Sequence, residues 1–290
     1  VALGLFVTID LWMVDKRYLN EDDFVSKSRY EQQFNPRQVD LQIKQDPQIS
    51  YRVFDVTGSP FNDSFTSRFH KSVGGYHAAK LQRYQDLIER HISRNNQNVL
   101  NMLNTKYFIF PNRQTNQPAV QQNTEALGNA WFVNELKMVN NADEEIESLT
   151  NFNPKTTATV DVRFNDYLDG YTPSNPEGSS ITLTSYEPNH LIYESKVTGG
   201  EKFAVFSEIY YKGLKSDDWK VYVDGDLIEN SHIRVNYVLR GMKVPDGNHT
   251  IEFKFEPKSY FLGNQISLAS SILIILVVLG TVFIELRKNA

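Results

Sequence analysis

The sequence predicts an α+β fold: an α/β unit followed by an antiparallel β-sandwich, flanked by transmembrane helices. Three observations carry this. Strand and helix patterns alternate between residues 51 and 149, period-two alternation fills 156–257, and a long uncharged run closes the chain. At 290 residues the chain has room for one large domain or two smaller ones.

The N-terminal stretch VALGLFVTIDLWMV, residues 1–14, is apolar but too short to cross a bilayer, and Asp10 interrupts it. It reads as the end of a transmembrane helix of a longer protein, with Trp12 at the interfacial level. Asp10 is either a functional intramembrane carboxylate or a residue snorkelling from the helix end. Residues 15–152 form the expected α/β subdomain. Its first part, to residue 50, is polar and broken by Pro36 and Pro47. YRVFDV at 51–56 predicts a strand, bounded by Gly58 and Pro60. A helix is expected from Tyr76 to Ser93, a short one over NVLNMLN, and a strand over KYFIFP, 106–111. After a Gln/Asn-rich loop at 112–125, WFVNELKMV reads as one strand, and Asp143–Leu149 as a helix capped by Asn141 or Asp143.

Composition changes at Asn153-Pro154, and 153–260 is the expected sandwich. ATVDVRF, SSITLTSYE, HLIYESKV, EKFAVFSEIYY, WKVYVDGDLI, RVNYVLRGMKV and HTIEFKFEP each alternate. Asp224-Gly225 and Asp246-Gly247 are two-residue hairpin signals, because glycine accepts positive φ. The last helix is expected over 264–286. Ile266–Ile284 is nineteen residues without a charge, enough for a hydrocarbon core of ~30 Å. Arg287 and Lys288 follow, which by the positive-inside bias puts the intervening region outside the cytoplasm.

Composition also narrows function. A net charge of −5 and the lack of a Lys/Arg run argue against a nucleic-acid partner. With no cysteine there is no thiolate chemistry. No metalloprotease, phosphate-loop or nucleophile-elbow motif occurs, and His70 and His77 have no third ligand at metal spacing, so neither a metal nor a cofactor is expected. Asn248-His249-Thr250 matches a glycosylation acceptor, but it reads as turn chemistry. The best candidate binding segment is FHKSVGGYHAAKLQRYQDL, 69–87. Helical phase from Gly75 puts His77 on an apolar stripe with Leu81, Tyr84, Ile88 and Ile92, as a buried structural histidine. Tyr76, Lys80 and Arg83 form a basic row behind Gly74-Gly75, the arrangement that holds an anion at a helix start, although a solvated basic face gives the same pattern. His70 and Lys71 complete the cluster. Tyr210, Tyr211, Trp219 and Tyr222 are aromatics that stack on sugars or simply pack, and alternation puts Tyr210 and Tyr211 on opposite faces.

The order of these features resembles a known family. VGGY with a basic helix ending in RYQDL, then LNTKYFI and WFV, is similar to the YfhO family of bacterial membrane proteins. SEIYYKGLKSDDWKVYVDGDLIE and NYVLRGMKVPDGNHTIEFKFEP resemble its C-terminal block, a G-W-x-x-x-V-D-G core before a V-P-x-G-x-H turn. Here the usual Gly-Trp is opened by an insertion between Gly213 and Trp219. The resemblance covers nearly the whole chain. It implies a multi-pass protein of the bacterial cytoplasmic (inner) membrane, similar to GT-C glycosyltransferases, with its main domain on the periplasmic side. Such proteins take a sugar from a polyprenyl-phosphate carrier to modify an envelope glycan acceptor. The family's catalytic acid is expected upstream of Val1, so the resemblance supplies no catalytic residue. It makes His70, Lys71, Gly74, Gly75, Tyr76, Lys80 and Arg83 the expected contacts to phosphate or glycan, charge-assisted bonds to phosphate being the strong ones. The competing expectation is a non-enzymatic, membrane-anchored glycan-binding or scaffolding module.

Overall fold

The computed structural model describes residues 2–32, 34–115, 117–212 and 218–288. The fold is α+β, with a sandwich of antiparallel sheets and one long apolar helix at the C-terminus.

The chain opens with helix α1 (Ala2–Tyr18), then α2 (Lys27–Gln32) and α3 (Gln38–Ile43). Strand β1 (Arg52–Asp55) lies parallel to β2 (Lys71–Ser72). Helices α4 (Gln82–Arg90) and α5 (Gln97–Met102) lead to β3 (Thr105–Pro111), which also runs parallel to β1. Strand β4 (Pro118–Gln122) pairs antiparallel with β3 and completes a sheet of order β2-β1-β3-β4. The Gln/Asn-rich segment therefore contains a strand, because its pairing partner rather than its propensity stabilises it.

WFVNELKMV is divided. Strand β5 (Ala130–Val133) ends at Asn134, whose N–H and that of Glu135 both donate to the Thr156 carbonyl at 3.0 and 3.1 Å. Strand β6 (Glu135–Val139) then passes to helix α6 (Ala142–Ser148), capped by Asn141 as expected, and pairs in parallel with β7 (Thr157–Asp161). The short helix α7 (Asn165–Leu168) precedes the long strands β8 (Ser180–Glu187), β9 (His190–Val197) and β10 (Lys202–Ile209). The final strands are β11 (Trp219–Val223), β12 (Asp226–Ile228), β13 (Ile233–Val235), β14 (Leu239–Val244) and β15 (Gly247–Phe255), followed by α8 (Lys258–Lys288).

Two sheets face each other, β12-β11-β15-β9-β8 and β13-β14-β10-β5. Their inward side chains, among them Phe132, Leu191, Tyr193, Phe206, Val221, Met242 and Phe253, form one core. Phe206 lies edge-on to Tyr193 and Phe253, with ring centroids 4.9 and 5.0 Å apart, the preferred aromatic geometry. The other face of β10 and the β13–β14 hairpin belongs to a second core with Leu87, Ile92, Leu100, Leu149 and Val160. Chain on both sides of residue 152 therefore contributes to the same sheet and the same core.

Two turn expectations change. Asp224-Gly225 does turn a hairpin, with φ of 54° and 89° at its two residues. Asp246-Gly247 does not: β14 and β15 belong to different sheets, and the Asp246 carboxylate accepts from the Gly200 amide across the crossover. Asn248–Thr250 is accordingly part of β15, paired with β9. RVNYVLRGMKV instead hides a hairpin, turning at Asn236 and Tyr237 with φ of 48° and 71°. Of the insertion expected between Gly213 and Trp219, residues 213–217 lie outside the described residues.

Helix α8 is 31 residues long, and its side chains are exposed to the surroundings along its length. By length and composition it suits a bilayer crossing. It leaves β15 after only two residues, and Tyr260 and Phe261 stand exposed in its first turn, where interfacial aromatics belong.

Candidate functional site

The segment 69–87 is built differently from its helical phase. Gly74 and Gly75 sit beside β2, well before α4, whose N-cap is Leu81 in extended conformation. They serve a backbone crossing. The Gly75 amide donates to the Pro60 carbonyl at 2.7 Å, and a Cβ on Gly74 would lie 1.9 Å from that same oxygen. Because the obstacle is backbone, Gly74→Ala is expected to destabilise the fold by about 3 kcal/mol, measured as a lower thermal midpoint. An unchanged midpoint contradicts this account of the glycine pair.

His77 is a correction: it is exposed, not buried, and its Nδ1 accepts the Ala79 amide at 3.0 Å. That local bond replaces a helical turn, so the 76–81 stretch never brings His77 to the stripe formed by Leu87, Ile88 and Ile92.

The basic residues disperse. His70 turns inward, its Nε2 3.1 Å from the wholly buried Asp40 carboxylate, which also accepts Arg37 Nε at 2.9 Å. Burial pushes the Asp40 carboxyl up, but the bonds from Arg37 and His70 outweigh it and hold its pKa below the ordinary value. Burial in turn lowers the His70 pKa, against the pull of Asp40. Lys71 donates to Ser50 Oγ at 2.8 Å and lies over the Tyr186 ring; burial lowers its pKa to about 8. Tyr76 is exposed, and Lys80 reaches Gln85 at 3.4 Å and lies 5.9 Å from the Phe61 ring centroid. Of the seven candidates, His70 belongs to this Asp40–Arg37 cluster and Arg83 joins a second one.

That cluster surrounds Glu145 on α6. The carboxylate is completely buried and accepts Arg83 Nη1 and Arg234 Nη2, each at 3.1 Å, and the Tyr237 amide at 3.0 Å. Arg234, on β13, also lies 3.7 Å from Asp161, and burial depresses its pKa. Its Nε is buried without a hydrogen-bond partner among the described residues. Tyr237 adopts φ of 71°, strained for an aromatic residue, and is held by Glu145, by the Arg83 guanidinium 4.3 Å from its ring centroid, and by Asp86, to which its hydroxyl donates at 2.8 Å. Burial, then the bond to Asp86, raises its pKa to about 12.

These groups border a pocket of about 340 Å³. Arg83, Arg234 and Lys212 line it, together with Tyr84, Tyr237 and the pair Tyr210–Tyr211. Both members of that pair face it because β10 ends at Ile209, where strict alternation stops. The Tyr84 hydroxyl is bonded to the Val73 carbonyl at 2.6 Å, which fixes α4 against the end of β2. A larger depression of about 740 Å³ lies at the end of α1, but its lining, including Trp12, Tyr18 and Phe24, is exposed throughout and gathers no buried titratable group. The smaller arginine–tyrosine pocket has the concentration of charge and strain that marks a site.

Sequence reasoning found Arg83 and weighed Tyr210 and Tyr211, but missed Glu145, Lys212, Arg234 and Tyr237. One signal was present. Once the hairpin is placed, Arg234 and Arg240 are directly paired across it, and like charges in that position need other partners.

Comparison with protein-family models, curated proteins and solved structures finds no match.

Proposed function

We propose that the chain is the outward-facing part of a multi-pass bacterial membrane protein of the YfhO type, handling polyprenyl-phosphate sugars for the modification of envelope glycans. The observation that carries this reading is the juxtaposition of α8 with the arginine–tyrosine pocket. Tyr211, on the pocket wall, has its ring centroid 6.2 Å from Phe255, the last residue of β15, and Lys258 begins the apolar helix. Three residues span at most about 11 Å, so the pocket wall stands near the bilayer surface that α8 enters. A phosphate-linked sugar on a lipid carrier is held at that level, and cations are the side chains that receive it. The two basic residues at the far end of α8 favour the outer side for the folded region.

The test is genetic and chemical. Deleting the gene for the full-length protein is expected to remove a sugar substituent from an envelope glycan and to raise the pool of its lipid-linked donor, both measured by mass spectrometry. Complementation restores them. Glycan and lipid pools that stay unchanged on deletion overturn the transfer reading and favour the non-enzymatic module.

A further inference from the structure

We propose that the arginine–tyrosine pocket binds a saccharide through its phosphate ester, with Arg83 and Lys212 taking the phosphate and tyrosine rings lining the place of the sugar. The proposal deepens the function proposed above and rests on it only for where the ligand comes from.

The charge distribution is the first support. Among the described residues, the charged side chains lining the pocket are cationic: Arg83, Lys212 and Arg234. The neighbouring carboxylate, Glu145, is fully buried behind the two arginines, and its oxygens are occupied by Arg83, Arg234 and the Tyr237 amide. Glu145 therefore orients the arginines and neutralises one charge, leaving the opening positive.

Donor capacity is the second. Among the described residues, both hydrogen bonds of Arg83 come from Nη1, to Glu145 and to the Tyr237 carbonyl. Its side chain is 27% exposed, so the rest of the fork is open to a ligand. A guanidinium has five N–H donors, and a phosphate oxygen is the acceptor that suits its geometry. Lys212 is exposed at the rim and adds a mobile ammonium.

Shape is the third. A volume of about 340 Å³ lies at the small end of ligand pockets, the size for one sugar ring and a phosphate. Tyr211, 41% exposed, offers an apolar ring face with a polar end, the surface a pyranose meets best. The buried Tyr237 ring, 4.3 Å from the Arg83 guanidinium, holds that guanidinium in place in advance, which reduces the ordering cost of binding.

The full chain in detergent micelles is titrated calorimetrically with glucose 1-phosphate, inorganic phosphate and glucose. Glucose 1-phosphate is expected to bind, more tightly than inorganic phosphate, and glucose to show no heat. Lys212→Gln, at an exposed position, should weaken binding about tenfold with an unchanged thermal midpoint, the loss of one charge-assisted contact. Lys80→Gln, outside the pocket, should leave the Kd unchanged. A lipid-linked sugar phosphate in nanodiscs that displaces glucose 1-phosphate assigns the ligand to the membrane; failure to displace it assigns a soluble one. No binding of glucose 1-phosphate, or equal weakening by Lys80→Gln and Lys212→Gln, overturns the site. Absent binding with an intact deletion phenotype removes the pocket alone, whereas binding without that phenotype removes the transfer reading alone.

Discussion

Replacing Glu145 by alanine is expected to destabilise the protein by about 3–5 kcal/mol, the range for removing one partner of a buried ion cluster. The carboxylate is wholly buried and satisfies two guanidinium groups and the amide of a strained residue. Without it, Arg234 is left as a buried cation with Asp161 at 3.7 Å as its carboxylate neighbour among the described residues, and Tyr237 loses the bond to its amide, leaving Arg83 and Asp86 to hold its left-handed conformation. The thermal midpoint should fall by roughly 10 °C for a domain of this size. A second variant separates charge from packing. Adding Arg234→Leu to Glu145→Ala should recover part of the loss, because the unpaired buried cation has gone with its partner. A Glu145→Ala protein as stable as the parent contradicts the account of this cluster.

Acidification below neutral pH should destabilise the fold before any carboxylate titrates. Three histidines have their pKa held below the ordinary value. His232 is enclosed near the rings of Tyr210 and Phe253; burial, then the charges of Arg240 and Lys212, lowers its pKa to about 3. Burial also lowers those of His91 and His70, overcoming the Ile146 carbonyl and Glu147 for the first and Asp40 for the second. Arg90, Arg94, Lys44 and Arg37 reinforce the lowering. The unfolded chain takes up protons from about pH 6.5 and the folded chain takes them up at lower pH, so stability falls as pH drops. His232 alone removes about 1.4 kcal/mol per pH unit between 6.5 and about 3. His249 acts in the opposite sense: its bond to Asp224 raises its pKa, so its contribution is lost as pH rises through the folded value. It is one group against three. Thermal midpoints at pH 7, 6 and 5 check the sign, and His232→Gln should flatten the decline. Midpoints that hold constant from pH 7 to 5 contradict it.

Where pairing partners are close in sequence and one face is buried, the pattern was legible. HLIYESKV and HTIEFKFEP alternate because β9 and β15 bury one face against the sandwich core and show the other to solvent. The apolar C-terminal helix was plain from length and charge. The errors arise where a distant partner decides. WFVNELKMV reads as one strand, yet the Thr156 carbonyl divides it between two sheets. RVNYVLRGMKV carries no Gly at its turn, because Glu145, far away in sequence, holds Tyr237 at positive φ. Asp246-Gly247 has hairpin chemistry but links two sheets. The segment 69–87 shows the same limit for the site: its glycines are explained by Pro60, and His70 by Asp40, neither visible in helical periodicity. Arg83 was identifiable as basic and helix-borne, but its partners Glu145 and Arg234 come from α6 and β13.

The most direct measurement is the position of glucose 1-phosphate in crystals of the protein soaked with it. The phosphate is expected within hydrogen-bond distance of Arg83 and Lys212, with the sugar against Tyr211. A ligand seated instead at Gly74-Gly75, or a pocket unoccupied at saturating concentration, contradicts the assignment of the arginine–tyrosine pocket as the binding site.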